Sequence, residues 1–218
     1  MSKSSTNGVS PMTVIDGYGS DVARLHVHFL GGYEDNTPWT YDGINGITNF
    51  INRVWSLKDM IKGEEVSKEH IYEINNLIKK ISDDIENLKL NTAIAAFMSF
   101  VKKIKEDSFI TKEELRIFLI LLNPLAPHIT SEMYEIIFSG NIINDKWPVY
   151  DEKYLEKDEI NLPIQINGKM KKTISVSKKS SEDDVISSIK NTYPSLIPGE
   201  IKKVIYVPEK IINIILAK

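Results

Sequence analysis

The 218-residue chain contains no cysteine, so disulfides and thiolate-ligated metals are excluded. Histidine is scarce too: His26, His28, His70 and His128 are scattered without metal-ligand spacing. His26 and His28 lie two apart, which on a helix turns them to different faces, so no metal site is expected. No run approaches the roughly 20 apolar residues of a membrane span. The N-terminal MSKSSTNG lacks the apolar core of a secretory signal. No internal repeat is visible. The expectation from these absences is a soluble, cytoplasmic protein of one or two domains that makes no use of a membrane. A basic signature is also missing overall, since 27 Lys and Arg stand against 30 Asp and Glu, a net charge of −3.

Distribution says more than the total. From Ile160 onward there are ten Lys and five Asp or Glu, a net of +5, which leaves −8 for the preceding residues. Such asymmetry points the C-terminal part toward a polyanion, with a merely solvated lysine surface as the competing reading. The most apolar stretch is EELRIFLILLNPLAPHITSEMYEIIF, Glu113 to Phe138. Leu115 and Ile117 to Leu122 are apolar on nearly every side, the mark of a helix buried all round. Pro124 breaks it and Pro127 opens another, so two helices meet at a proline corner, the first at the centre of a bundle.

The other elements are read outward from this centre. Ser10-Pro11 starts a short helix to Asp16 that stops at Gly17-Tyr18-Gly19. Ser20 caps a second, with Val22, Leu25, His26 and Phe29 as its apolar stripe, ended by Gly31-Gly32. Ile44, Ile47, Ile51, Val54, Trp55 and Lys58 predict an amphipathic helix within Thr40 to Ile61. Ser67 caps a helix to about Asn87, and another covers Leu90 to Glu106. Thr111 with Glu114 forms a capping box for the central helix. After Trp147-Pro148 the pattern changes. Leu162, Ile164 and Ile166 alternate with polar residues, as do Ile174 and Val176, and Asn167-Gly168 between them is a hairpin signal. A helix over Ser181 to Asn191 and strands over Ile201 to Val207 and Ile211 to Leu216 follow. The fold class is α+β, an antiparallel helical bundle followed by a small β-β-α-β-β domain. The expected boundaries are 1–32 for an N-terminal loop with connecting helices, 33–149 for the bundle, 150–159 for a charged linker, and 160–218 for the last domain.

Few residues stand out chemically. Arg53 and Trp55 share the amphipathic helix, where Trp55 reads as core and Arg53 either reaches solvent or meets a ligand. Lys169, Lys171, Lys172, Lys202 and Lys203 form a cluster around the two hairpins. His128 reads as a helix-start or core histidine, and Asp83-Asp84 and Asp183-Asp184 as exposed helix faces. On these features alone, a free-standing helical interaction protein with a β-rich appendage and an RNA-holding module both remain open.

Several strings in order decide further. Met1-Ser2-Lys3-Ser4 precedes Asn7-Gly8-Val9-Ser10-Pro11; Val14 to Arg24 carries a Tyr-Gly pair; Trp39 and Phe50 to Trp55 follow. LNPLAPHITSEMYE at Leu122 to Glu135, QINGKMKK at Gln165 to Lys172 and VIYVPEKIINI at Val204 to Ile214 complete the set. Together they resemble the C-terminal part of bacterial-type leucyl-tRNA synthetases, which are class I aminoacyl-tRNA synthetases. The resemblance implies a tRNA-binding bundle of the class I anticodon-binding type, a terminal domain that reaches the outer corner of tRNA(Leu), and a monomer. It also implies that Arg53 and the five lysines meet phosphate and ribose, without reading the anticodon. Lys3 matches the second lysine of the family's Lys-Met-Ser-Lys-Ser loop, with Ser2 and Ser4 beside it. That loop closes over ATP, held with Mg in the full enzyme, and a positioned ammonium there offsets charge growing on the leaving pyrophosphate. Two departures are plain: the first lysine of the loop is absent, and Ser5-Thr6 replaces the usual Lys-Gly. No His-Ile-Gly-His string occurs, so these residues alone are expected to bind no cofactor and to form no leucyl-adenylate.

Overall fold

The computed structural model describes residues 9–32, 34, 35, 37–156 and 159–216, and the chain divides into two compact units after Leu155. The first unit is helical: α1 (Pro11–Tyr18), α2 (Ser20–Phe29), α3 (Ile44–Trp55), α4 (Ile71–Glu86), α5 (Leu90–Asp107), α6 (Lys112–Leu122) and α7 (Pro127–Phe138). The α6 helix is its centre. Glu114, Leu115 and Ile117 to Leu122 are all buried there, as the run of apolar residues on every side requires. Phe118 meets Phe97 edge to face at 5.5 Å and stacks with Phe100 at 5.6 Å. Val14, Leu25, Ile47, Val54 and Ile81 belong to the same core, so helices from both ends of the unit are held by one apolar cluster. Truncating a buried Leu or Phe in such a core costs about 2–5 kcal/mol through lost burial and the cavity left behind.

The corner between α6 and α7 is set by polar groups as well as by the two prolines. Asn123 donates to the Thr130 hydroxyl at 2.9 Å, and that hydroxyl donates to the Ala126 carbonyl at 2.8 Å. From α2, the Asp21 carboxylate accepts from the backbone N–H of His128 and Ile129, at 3.3 and 2.8 Å. Asp21 therefore caps the first turn of α7 from another helix, satisfying donors that have no partner within α7.

Several boundaries and the burial of Trp55 differ from the sequence reading. The α1 helix runs through Gly17 to Tyr18, because it is Gly19, at φ +90°, that turns the chain. Ser20 makes no cap; its hydroxyl lies 3.1 Å from His128 Nδ1. The α3 helix begins only at Ile44, after Gly43 at φ +84°, and tightens into a 3-10 turn over Ser56–Met60. The α4 helix begins at Ile71, although Ser67 Oγ still accepts from the His70 N–H at 3.1 Å, three residues on, as an N-cap would. Trp55, expected in the core, is 37% exposed, since Val54 takes the inward position.

The second unit is a four-stranded mixed sheet with one helix: β1 (Glu159–Ile166), β2 (Lys169–Ser177), α8 (Glu182–Thr192), β3 (Ile201–Val207) and β4 (Ile211–Leu216). Strand order is β2-β1-β4-β3, with β1 and β4 parallel and the two outer pairs antiparallel. Asn167 and Gly168 both have positive φ, +48° and +78°, the geometry of a two-residue turn whose twist matches the strands it joins. Ser181 and Asp184 form a capping box on α8, which buries Val185 and Ile189 with Leu162, Ile164, Ile174, Val176, Ile212 and Ile214.

Candidate nucleic-acid interface

Ser2, Lys3 and Ser4 lie outside the described residues. Arg53 sits in the last turn of α3, exposed, and no described residue pairs with its guanidinium. Two residues along a helix is about 200° around its axis, so Arg53 and Trp55 flank buried Val54 on opposite sides. Helix α3 does not bring them together. Trp55 instead receives Lys58, whose ammonium lies 4.6 Å from the indole centroid.

The five lysines do not form one cluster, contrary to the sequence expectation. Lys169, Lys171 and Lys172 lie on β2, Lys202 and Lys203 on β3, and these are the two opposite edges of the sheet. Three inter-strand gaps of about 4.8 Å put roughly 14 Å between the rows. Proximity in sequence to two hairpins suggested one patch; the parallel β1–β4 pairing, invisible in any local pattern, pulls the hairpins apart. All five are exposed, and none makes an ion pair among the described residues. Lys172 stands opposite Ile164 on the helix side and rests 5.1 Å from the Tyr193 ring centroid. Lys203 stands opposite Ile215 on the other face. The arrangement is two short cationic margins that can each meet separate phosphates of a long polyanion, and it contains no acid or nucleophile placed for bond making.

The helical unit uses its charges differently. Arg116 holds Glu113 at 2.7 Å and Asp145 at 3.1 Å; the Glu113 hydrogen bond, ahead of Asp145, raises its affinity for its proton. Asp84, read from sequence as exposed, is buried and bonds to Lys80 and Thr92. His70 is fully buried, with Nδ1 2.9 Å from Glu114 and Nε2 3.0 Å from Asp107, its ring stacked on Phe109 at 4.5 Å. Burial works to raise the Glu114 pKa, but hydrogen bonds from Thr111, His70 and Ser67 outweigh it and hold the carboxyl below its ordinary value. Asp107 is likewise held low, as Lys103 and His70 overcome its desolvation. Three helix ends are thus pinned by one polar cluster. Sequence reasoning found the Thr111–Glu114 half of it and missed the rest, because His70 is 44 residues from Glu114 and nothing local marks it.

Among the described residues no group of side chains is placed to hold a metal. A cavity of about 380 Å³ beside the end of α2 is lined by Val27, His28, Trp39, Leu88 and Leu90 among others. Burial, then Arg24, lowers the His28 pKa, and no Lys or Arg lines the cavity, so it is not built for phosphate.

With this geometry in place, the likenesses to known proteins are informative. Residues 67–186 match a family described as the anticodon-binding domain of tRNA ligase. The chain is 37% identical over 220 residues to a leucine–tRNA ligase of Alkaliphilus oremlandii, covering 99% of this chain and 27% of that protein. It is 35% identical over 225 residues to a leucine–tRNA ligase of Bacteroides thetaiotaomicron, covering 99% of this chain and 24% of that one. The chain therefore spans about a quarter of the length of the curated relatives it matches. A LeuRS from Agrobacterium radiobacter, crystallised as a ternary complex with tRNA and LeuAMS, superposes with a TM-score of 0.66 at 26% identity, over 100% of this chain and 32% of that one.

Proposed function

The chain belongs to the family of anticodon-binding domains of tRNA ligases, and from that premise we propose that it is the tRNA-holding portion of a leucine–tRNA ligase. The observation that carries this reading is collinear similarity to leucine–tRNA ligases over 99% of the chain. In this reading residues 33–149 form the antiparallel bundle that lies along tRNA(Leu), and 160–218 form the terminal domain, beyond a linker at 150–159. Residues 1–32 carry the ATP-facing loop and the helices that connect it. Exposed Arg53 and the lysines of β2 and β3 contact phosphate and ribose, which position an RNA without reading its sequence.

ATP with Mg is the substrate of a whole ligase. Lys3, with Ser2 and Ser4, would stand near its phosphates, supplying positive charge where the pyrophosphate leaves. The 218 residues by themselves carry no nucleotide-binding string of the His-Ile-Gly-His kind, so ATP–pyrophosphate exchange with leucine is expected to be undetectable. The working unit is a monomer in the cytoplasm.

Filter binding of tRNA(Leu) to the purified chain across a salt series tests the proposal. Binding at low salt that weakens linearly in log–log form is expected, because each phosphate neutralised by a lysine releases counterions. Absence of binding at low salt would remove the tRNA-holding reading and leave a helical interaction protein in its place.

A further inference from the structure

Lysine placement in the sheet has a feature that RNA contact does not require. Every lysine of the four strands falls on β2 or β3, the two edge strands, and none on β1 or β4. Both edge strands are bulged. In β2, Met170 stands opposite Gln165 and Lys172 opposite Ile164, which leaves Lys171 as the extra residue. In β3, Ile201 stands opposite Leu216 and Lys203 opposite Ile215, which leaves Lys202 as the extra residue. One further stretch of ladder is uncovered, since β4 pairs with β1 only from Ile164 onward. The residue just before that point is Pro163, which has no N–H to offer a new strand.

These are the devices that keep a sheet edge from recruiting another strand: an outward lysine, a bulge that spoils the register, a proline. There is something to guard. Strand β4 reads IINIIL, six residues without charge, Pro or Gly, the composition that stacks readily into cross-β assemblies. On β3, Ile205 and Val207 are 42% and 38% exposed, apolar surface that pairing would reward.

We infer that the lysine-bearing bulges of β2 and β3 have a second role, independent of RNA: they prevent the sheet from pairing edge to edge with a second copy of the chain. Binding to phosphate asks only for accessible positive charge on any strand. Confinement of all five lysines to the two edges, with the extra residue of each bulge itself a lysine, is what edge protection asks for. The charge acts by its presence and its hydration, so its sign is immaterial to this role.

Sign is what the experiment exploits. In the full 218-residue chain, Lys169, Lys171 and Lys172 are replaced together by Thr or together by Glu, and Lys202 and Lys203 likewise. Threonine favours strands and carries no charge. Sedimentation velocity over a concentration series reads association, filter binding reads tRNA affinity, and far-UV circular dichroism reads folding. The Thr variants are expected to associate at concentrations at least about ten-fold lower than the parent, as an unguarded edge allows. The Glu variants are expected to sediment like the parent while binding tRNA no better than the Thr variants. Thr variants that sediment like the parent throughout, or Glu variants that associate as readily as Thr ones, would overturn the inference. Should a multiple Thr variant fail to fold, Lys171→Thr and Lys202→Thr alone, each against its Glu counterpart, decide the matter by the same comparison. Sedimentation is read without RNA, so failure of the tRNA-holding proposal leaves this test intact.

Discussion

The two units treat positive charge in opposite ways. In the helical unit many cations are drawn into pairs with acids: Lys79 with Asp83, Lys80 with Asp84, Lys103 with Asp107, and Arg116 with both Glu113 and Asp145. In the sheet unit the five strand lysines have no acidic partner among the described residues, and the one ion pair described there joins Lys178 to Glu156. The difference teaches where each kind of charge acts. Paired groups that reach into the core fix how helices meet, and their removal shows as lost stability. Unpaired groups at a sheet margin contribute little to folding and remain available to a partner, so their removal shows as lost binding or altered association.

The largest test of this contrast is His70→Ala. It strips a partner from buried Glu114 and from Asp107, and breaking a buried charged cluster by deleting one member costs about 3–5 kcal/mol. All three tryptophans, Trp39, Trp55 and Trp147, lie in the helical unit, so urea titration followed by tryptophan fluorescence reads that unit alone. Acid probes the same cluster. Glu114 and Asp107 have lowered pKa values in the folded protein. Their contribution is therefore complete above the ordinary carboxylate values of 4.5 and 3.8, and is lost as pH falls from there toward the lower folded values. Tryptophan fluorescence should report weakening of the helical unit below about pH 4.5, with the His70→Ala protein losing less additional stability over that window because the bonds that lower both pKa values are already gone.

Replacing Lys169, Lys171 and Lys172 together by Gln is the next largest test. Each phosphate contact removed lowers the steepness of the log affinity–log salt plot by about one, so a fall of about three is expected with the urea midpoint unchanged. The same replacement of Lys79, Lys80 and Lys103, already taken up by acids, should leave the salt slope where it was. Equal loss of slope from both sets would erase the distinction between the units.

A smaller effect belongs to the turn that separates β1 from β2. Gly168 has φ +78°, and no neighbour lies within 4 Å of where a Cβ would stand, so Gly168→Ala meets no clash and costs only the strain of that conformation, about 1 kcal/mol. Hydrogen exchange at the amides of β1 and β2 should report that loss, with the tryptophan-detected transition unmoved.

How much of this was legible in the sequence follows the range of the interactions. The capping box at Thr111 and Glu114, the proline corner, the Asn167-Gly168 turn and the last two strands depend on neighbours a few residues apart, and local pattern finds them. What escaped depends on partners far along the chain. Trp55 faces outward because Val54 occupies the inward position, which helical spacing alone does not choose between. The lysines are split because β1 and β4, whose paired residues lie 48 positions apart in the chain, pair in parallel.

 That pairing sets Ile164 beside Ile212 and Ile166 beside Ile214, a meeting of distant segments that no local signal announces. The buried His70 cluster joins residues 44 and 37 positions apart and is equally silent in the sequence.

The smallest expected effect sharpens the comparison inside a single helix. Lys102 and Lys103 are adjacent on α5, and each faces an acid four residues on. Lys102 lies 3.8 Å from Glu106, with the two side chains 74% and 60% exposed, so water screens the pair and holding two long side chains together costs entropy. Alanine is also the better helix former, which offsets what little the pair contributes. Lys102→Ala should therefore change the unfolding free energy read from urea titration by no more than about 0.3 kcal/mol in either direction. Lys103 differs in one respect, that its partner Asp107 also bonds to buried His70. Lys103→Ala should cost visibly more than Lys102→Ala, and in the His70→Ala background that excess should shrink, since Asp107 then no longer belongs to the cluster. If the two lysines cost the same in both backgrounds, pairing in the helical unit would be surface decoration, and the contrast with the sheet unit would rest on His70 and Glu114 alone.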